Sequence, residues 1–183
     1  MSWLVYISLA AGIVAILFAA YLVRSVLKED KGTAKMQQIS EAIREGAMAF
    51  LNREYRTIAV FAVIIALVLT FVLGLIGGEA YTIKWQAGVG FLVGAIFSGL
   101  AGFIGMNITV RANTRVANKA KEGMPRALSL AFRSGAVTGM CVAGLALLGV
   151  SIFYLWFKDP TLIVGFGFGA CLISLFARIG GGI

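Results

Sequence analysis

The chain alternates between long, uninterrupted apolar runs and shorter polar segments. The apolar runs cover residues 3–23, 58–76, 87–110, 134–157 and 162–183. A helix of about 20 apolar residues is long enough to cross roughly 30 Å of hydrocarbon. Backbone polar groups in hydrocarbon must be satisfied internally, which favours helices. We therefore predict an all-α integral membrane protein, a polytopic bundle of about five transmembrane helices that forms a single domain over residues 1–183.

The polar segment before the second run has a helical pattern of its own. Its apolar residues recur at spacings of three and four, at Met36, Ile39, Ile43, Ala47, Phe50 and Leu51. This spacing predicts an amphipathic helix over residues 33–57, with Thr33 as its N-cap. We expect this helix to lie on the membrane surface or against other cytoplasmic helix ends, and to run on into the second span.

Small residues recur every four positions in two of the spans. The third span carries Gly90, Gly94, Ser98 and Gly102, and the fourth carries Gly135, Gly139 and Ala143. Small residues at this spacing share one helix face and let two backbones approach closely. The glycines of the GFGFG stretch at residues 165–169 lack the Lys and Ser/Thr of a phosphate-binding loop. We expect all three groups to be packing surfaces.

The composition agrees with a bilayer environment. Hydrophobic residues make up 60% of the 183 and charged residues 13%, and the mean hydropathy is +0.94, whereas about a quarter of an ordinary soluble domain is charged. The chain contains no histidine, which excludes imidazole catalysis and imidazole metal ligation. Cys141 and Cys171 lie inside apolar runs, where we expect small buried hydrophobic residues.

The basic residues indicate the orientation in the membrane. Of the 16 Lys and Arg residues, 13 lie between the first and second or the third and fourth spans. Since cytoplasmic loops are enriched in Lys and Arg, these two segments are expected in the cytoplasm. The amino terminus is then expected outside, and a bacterial inner (plasma) membrane is the expected location. This distribution favours lipid, not nucleic acid, as the surroundings of the net charge of +8.

Arg111, Arg115 and Lys119 form a basic stripe at i, i+4 spacing where the third span ends. One interpretation is an anchor to anionic lipid headgroups. The other is an electrostatic funnel that attracts a polyanionic substrate from the cytoplasm. The sequence leaves both open.

Arg178 is the one basic residue inside an apolar run. A guanidinium in a span costs roughly 2.5–3.5 kcal/mol on insertion scales and is usually kept for a partner or an ion pathway. Its alternative is to snorkel to the headgroups. The carboxylates, by contrast, are spread over the polar segments without the spacing of an acid–base pair or a magnesium cluster, so we predict neither a catalytic residue nor a metal site within this chain.

Three stretches resemble the membrane-integral inorganic pyrophosphatases, which couple pyrophosphate hydrolysis to proton or sodium-ion pumping. They are EAIREGAMAFLNREYRTI (residues 41–58), GFIGMNITVRANTRVANKAKEG with FRSGAVTGM (102–123 and 132–140), and GFGFGACLISLFARIGGGI (165–183). Their order resembles the amino-terminal third of that family, and the similarity covers nearly all of the chain from about residue 36.

The resemblance implies a pump of about sixteen helices in two concentric rings around a cytoplasmic pyrophosphate site, usually a homodimer in the lipid bilayer. Spans one to four would belong to the outer ring and span five to the inner ring. Arg178 matches the position of the family's intramembrane arginine at the ion gate. Magnesium is the implied cofactor, but the family's magnesium–pyrophosphate motifs begin after GGGI. We therefore expect a truncated or incomplete pump, inactive alone.

The alternative is a non-enzymatic membrane bundle, such as a small channel or an accessory subunit, in which Arg178 binds an anion or a partner helix. Composition, periodicity and topology do not separate the two hypotheses. The family-like stretches favour the pump.

Overall fold

Five α-helices make up the fold. A computed structural model describes residues 2–76, 84–158 and 160–180 of the chain. The helices are α1 (Ser2–Leu27), α2 (Ala34–Ile76), α3 (Lys84–Ala120), α4 (Met124–Phe157) and α5 (Pro160–Gly180). Within these ranges no residue is in a β-strand, and the predicted all-α class is confirmed.

Four of the helices, α1 to α4, are long and apolar enough to cross a membrane. In α5, the residues whose side chains the structure describes, Ile163–Ala177, form a further apolar stretch. Large apolar side chains of α1 and α2 face outward, among them Leu17, Val14 and Leu67, each more than three-fifths exposed. Such a surface is stable in hydrocarbon and not in water, so the chain is a multi-pass membrane protein. Residues 77–83, 159 and 181–183 of the predicted loops and fifth span lie outside the described residues.

The helices are longer than the predicted spans. α2 has 43 residues and joins the amphipathic segment to the second span without a break. Thr33 Oγ1 accepts a hydrogen bond from the Met36 amide at 3.4 Å, which confirms the predicted N-cap. The amphipathic segment packs along α3, as shown by the Thr114–Ser40 hydrogen bond of 3.2 Å. It therefore contacts a neighbouring helix end instead of lying alone on a surface.

α3 is the central helix and contacts the other four. One buried cluster joins it to α1 and α4, and consists of Ala19, Leu22, Ala101, Ile108, Val137 and Cys141. A second joins it to α2 and α5, and consists of Ile58, Ala62, Ala66, Phe91, Ala95 and Ile173. α3 thus contributes residues to both of these clusters, and alanines make up part of each.

Glycines bring α3 and α5 into backbone contact. A Cβ atom on Gly94 would overlap the carbonyl oxygen of Phe166, and one on Gly169 would overlap the carbonyl oxygen of Phe91. The predicted packing roles of the α3 face and of the GFGFG stretch are confirmed at these two positions. Gly167 lies two residues before Gly169 on α5. No atom of the described residues lies within 4 Å of its Cβ position.

The predicted packing face of α4 is wrong within the described part of the chain. Gly135 and Gly139 have open space where a Cβ would stand, and Ala143 is exposed. α4 instead meets α1 through Gly144, whose Cβ position lies 2.8 Å from Ile16. Cys141 is buried as predicted, but Cys171 is exposed. The spacing of small residues finds a face, but it does not say which face meets a neighbour.

We expect Gly169→Leu to destabilise the bundle, because the side chain would have to push α5 away from α3. Overpacking of this kind costs typically about 1–3 kcal/mol. The measurement is thermal unfolding of the chain in mild detergent. Gly167→Leu is the matched control, two residues away on the same helix in open space, and should melt like the unaltered chain. Equal melting of the two variants would contradict the packing described here.

Candidate functional site

Charged side chains concentrate at one end of the bundle, around the connections at residues 28–33 and 121–123, which we name the basic end. Arg115 is the best anchored of them. It is 6% exposed and donates hydrogen bonds to the carbonyl oxygens of Glu29 at 3.1 Å and Leu27 at 3.3 Å. A third bond goes to the carbonyl oxygen of Arg111, one turn earlier. Arg115 thereby satisfies carbonyls that the end of α1 leaves unpaired.

The charge of Arg115 is not neutralised by a carboxylate. Its hydrogen-bond acceptors are carbonyl oxygens, and no salt bridge to it is formed among the residues that the structure describes. Burial, followed by the positive charge of Arg111, lowers the pKa of the Arg115 guanidinium from its ordinary value. An arginine nevertheless keeps its charge. The site therefore holds a positive charge without a carboxylate partner among the described residues.

Arg111 lies one turn before Arg115 and faces the same cavity of about 580 Å³. Its Nε is buried and finds no hydrogen-bond acceptor among the described residues. The cavity is enclosed by the end of α1, the first turns of α2 and the last turns of α3.

Lys119 has a different environment. Its Nζ lies 3.2 Å from Glu29 Oε2 and 3.1 Å from Glu122 Oε1, and Arg126 Nη1 lies 2.7 Å from Glu122 Oε2. Hydrogen bonds from Arg126 and Lys119 lower the pKa of the Glu122 carboxyl. Hydrogen bonds to Glu122 and Glu29 raise the pKa of Lys119. This network ties the end of α1 to the turn between α3 and α4.

The structure therefore divides the predicted basic stripe. Arg111 and Arg115 line one cavity, whereas Lys119 lines a separate crevice with Glu29 and Glu122. Sequence reasoning placed the three residues on one face, which is correct, but it missed Glu29, the partner of Lys119. A carboxylate two residues beyond the end of α1 carries no signal for that pairing.

Arg178 lies on α5, two residues before the helix ends at Gly180. Its side chain lies outside what the structure describes, so its predicted role stays a prediction. Among the described residues, no group of three acidic or cysteine side chains comes together as a metal site.

Sequence reasoning also missed a polar contact between α2 and α3. The Tyr55 hydroxyl donates a hydrogen bond to the Gly99 carbonyl oxygen at 3.1 Å. A Cβ on Gly102 would lie 2.8 Å from that hydroxyl oxygen, so the glycine makes room for the tyrosine. The signal available in the sequence was a tyrosine next to the second apolar run, opposite the small face of α3.

We expect Arg115→Ala to lower the free energy of unfolding by about 2–3 kcal/mol, because it removes three hydrogen bonds from a charged donor and leaves carbonyls unpaired. Thermal unfolding in detergent measures this loss. Trypsin cleavage after Lys28 and Lys31 reports the local release of the α1 end and should be faster. Arg56→Ala, which removes an exposed arginine side chain of α2, is the control. Cleavage as slow as in the unaltered chain would contradict the anchoring role.

The Glu122 network predicts a pH effect on stability. The folded chain lowers the pKa of the Glu122 carboxyl below its ordinary value of 4.5. The ionised carboxyl therefore stabilises the fold above pH 4.5. This stabilisation disappears as the pH falls through the lower pKa of the folded state. Glu122→Gln should therefore reduce the melting temperature at neutral pH, and the difference from the unaltered chain should shrink in acid. A difference that is constant from neutral pH to about pH 3 would contradict the network.

Comparisons with known proteins agree with this architecture. The family model for the inorganic H+ pyrophosphatase matches residues 13–183. The K(+)-insensitive pyrophosphate-energized proton pump of Methanosarcina mazei is 52% identical over 183 residues, which are 100% of this chain and 26% of that protein. The K(+)-insensitive pyrophosphate-energized proton pump 2 of Moorella thermoacetica is 50% identical over 95% of this chain and 25% of its own length.

The similarity extends to a relative with a different ion in its name. The putative K(+)-stimulated pyrophosphate-energized sodium pump of Clostridium tetani is 42% identical over 100% of this chain and 26% of its own length. The chain thus spans about a quarter of the length of the curated relatives that it matches. With the family model covering all but the first twelve residues, the chain belongs to the inorganic H+ pyrophosphatase family.

Proposed function

We propose that this chain is the amino-terminal part of a pyrophosphate-energised pump for a proton or a sodium ion. The observation that carries the proposal is the 52% identity over the whole chain to a protein named as such a proton pump. Both ions stay in the proposal, because the relatives include a putative sodium pump. The all-helical bundle satisfies its backbone hydrogen bonds internally, as a protein that moves ions across a bilayer must do.

Hydrolysis itself needs residues beyond those described. Magnesium, when bound with pyrophosphate, offsets phosphate charge and activates water, but the described residues bring no metal-binding group together. The remaining three quarters of a relative's length are where such groups would have to lie. Within a complete homodimeric pump, this chain would contribute scaffold and part of the ion path.

The proposed orientation places the basic end in the cytoplasm and the amino terminus outside, in a bacterial inner membrane. The concentration of Lys and Arg at one end of the bundle supports it. Cytoplasmic pyrophosphate would approach this end, and the positive charge of the basic stripe would attract a polyanion over about a Debye length.

Arg178 is the residue that we propose for the ion gate. It lies near the end of α5, the helix held in backbone contact with α3 through Gly94 and Gly169. An arginine in an ion path would exclude cations unless a carboxylate partner or a movement of α5 offsets its charge. That requirement is what would couple hydrolysis to transport.

The isolated chain of 183 residues should show no magnesium-dependent pyrophosphate hydrolysis above the background of an empty membrane preparation. The reason is that the described residues bring no metal-binding group together. The measurement is phosphate release from pyrophosphate with purified chain in liposomes, with a full-length relative as the positive control. Hydrolysis by the isolated chain would overturn the proposal that the metal-binding groups lie in the rest of the pump.

The pump proposal itself is tested by sequencing the DNA downstream of codon 183. We expect an open reading frame that encodes acidic cytoplasmic motifs. In that full-length protein, Arg178→Ala should reduce ion transport per pyrophosphate hydrolysed at least about tenfold, and Arg178→Lys less. A stop codon directly after codon 183, with normal expression, would contradict the pump; unchanged coupling in Arg178→Ala would contradict the gate.

A further inference from the structure

The cavity at the basic end has a strongly unbalanced charge. Four cationic side chains line it, together with one carboxylate, so the lining carries a net charge of +3; the charged residues are Lys31, Arg44, Arg111, Arg115 and Glu41. The carboxylate of Glu41 is already engaged, since Arg44 Nη1 donates to its two oxygens at 3.1 and 3.3 Å. In the described part of the chain, no acidic side chain forms a salt bridge with either Arg111 or Arg115.

The arginine donors of this site are not all used. Arg111 Nε is buried without an acceptor among the described residues, which costs free energy. Arg115 has five N–H donors, of which three are engaged with carbonyl oxygens. Thr114 and Ser40 add hydroxyls to the lining and are held together by a hydrogen bond of 3.2 Å.

The cavity contains one fixed charged side chain, that of Arg115, beside the exposed side chains of Lys31, Gln37 and Glu41. Arg115 is 6% exposed and fastened to the end of α1, so its guanidinium is preorganised. The cavity volume of about 580 Å³ falls in the range of small-ligand sites. Three helix ends enclose it, so a ligand there would also link α1, α2 and α3.

We propose that this cavity binds a phosphate group. Guanidinium groups bind phosphate by charge-assisted, often bidentate hydrogen bonds, and two arginines one helical turn apart supply both charge and donors. The cavity starts at Arg111, the residue after the predicted end of the third span, and this predicted boundary would place it near the lipid headgroups. The phosphate group therefore comes from free inorganic phosphate in solution or from an anionic phospholipid headgroup.

This site does not depend on the proposed pump function. It requires phosphate binding and no hydrolysis, and its residues are separate from Arg178. Its failure would leave the family membership and the pump proposal as they are, and failure of the pump would leave the site intact.

The experiment compares the 183-residue chain with Arg111→Gln in two arms. In the first, the chain in uncharged, lipid-free detergent is titrated with inorganic phosphate, and the melting temperature is followed against sodium chloride of equal ionic strength. In the second, the chain is placed in nanodiscs of phosphatidylcholine with or without phosphatidylglycerol, and its melting temperature is measured again. Arg56→Gln removes the same charge from an exposed position of α2 and is the matched control.

We expect Arg111→Gln to raise the phosphate concentration for half-maximal stabilisation at least about tenfold, or to abolish the phosphatidylglycerol effect, while Arg56→Gln responds like the unaltered chain. An effect in the first arm identifies free phosphate as a ligand, and one confined to the second identifies the lipid headgroup. Both support the site. Equal responses of the unaltered chain and Arg111→Gln in both arms, or a chloride response as large as that to phosphate, would overturn it.

A second variant covers the case in which Arg111→Gln does not fold. Arg44→Gln removes a cavity charge from a 42% exposed side chain, so packing is little affected, and it frees Glu41 to repel anions. It should weaken phosphate or phosphatidylglycerol stabilisation several-fold. A folded Arg44→Gln protein with an unchanged response would likewise overturn the proposal.

Discussion

The close approach of α3 and α5 is the contact on which the arrangement of the bundle depends. Helices in lipid gain little from hydrophobic burial when they meet, so they associate by packing and need small residues to come close. Gly94 and Gly169 meet this need with backbone-to-backbone contact. Since α3 also contacts α1, α2 and α4, it carries residues of both buried clusters, and its contact with α5 completes the cluster that includes Ile173.

The basic end follows a different physical rule. There, water and headgroups can solvate charge, and the helix ends leave carbonyl oxygens without intrahelical partners. Arg115 uses its charge to satisfy carbonyls at the end of α1, whereas Lys119 spends its charge on two carboxylates. Arg115 and Lys119 lie on the same helix face but differ in their surroundings. Two carboxylates offset the charge of Lys119, whereas Arg115 has no carboxylate partner among the described residues. Arg111, next to Arg115, is left with buried donor capacity.

The helix number, the helix order and the small face of α3 could be predicted from the sequence, because apolar run length and residue spacing are properties of a single helix. The partner of each face could not be predicted in the same way. On α4 the most regular row of small residues, which includes Gly139, faces open space, and the contact is made by Gly144. Arg115 was recognised as basic, but its acceptors are backbone carbonyls, which every residue carries and no sequence pattern reveals. Arg178 was found because a charge inside an apolar run is rare, yet its partner depends on tertiary structure.

The uninterrupted length of α2 has a mechanical consequence. Its 43 residues extend about 65 Å at 1.5 Å per residue, roughly twice the hydrocarbon thickness. Because no break separates the two halves, they tilt as one rod. A tilt of the apolar half would displace Ser40 and Arg44 at the wall of the cavity. The Ser40–Thr114 hydrogen bond would pass the same displacement to the last turns of α3, so the two walls of the cavity are linked through one helix.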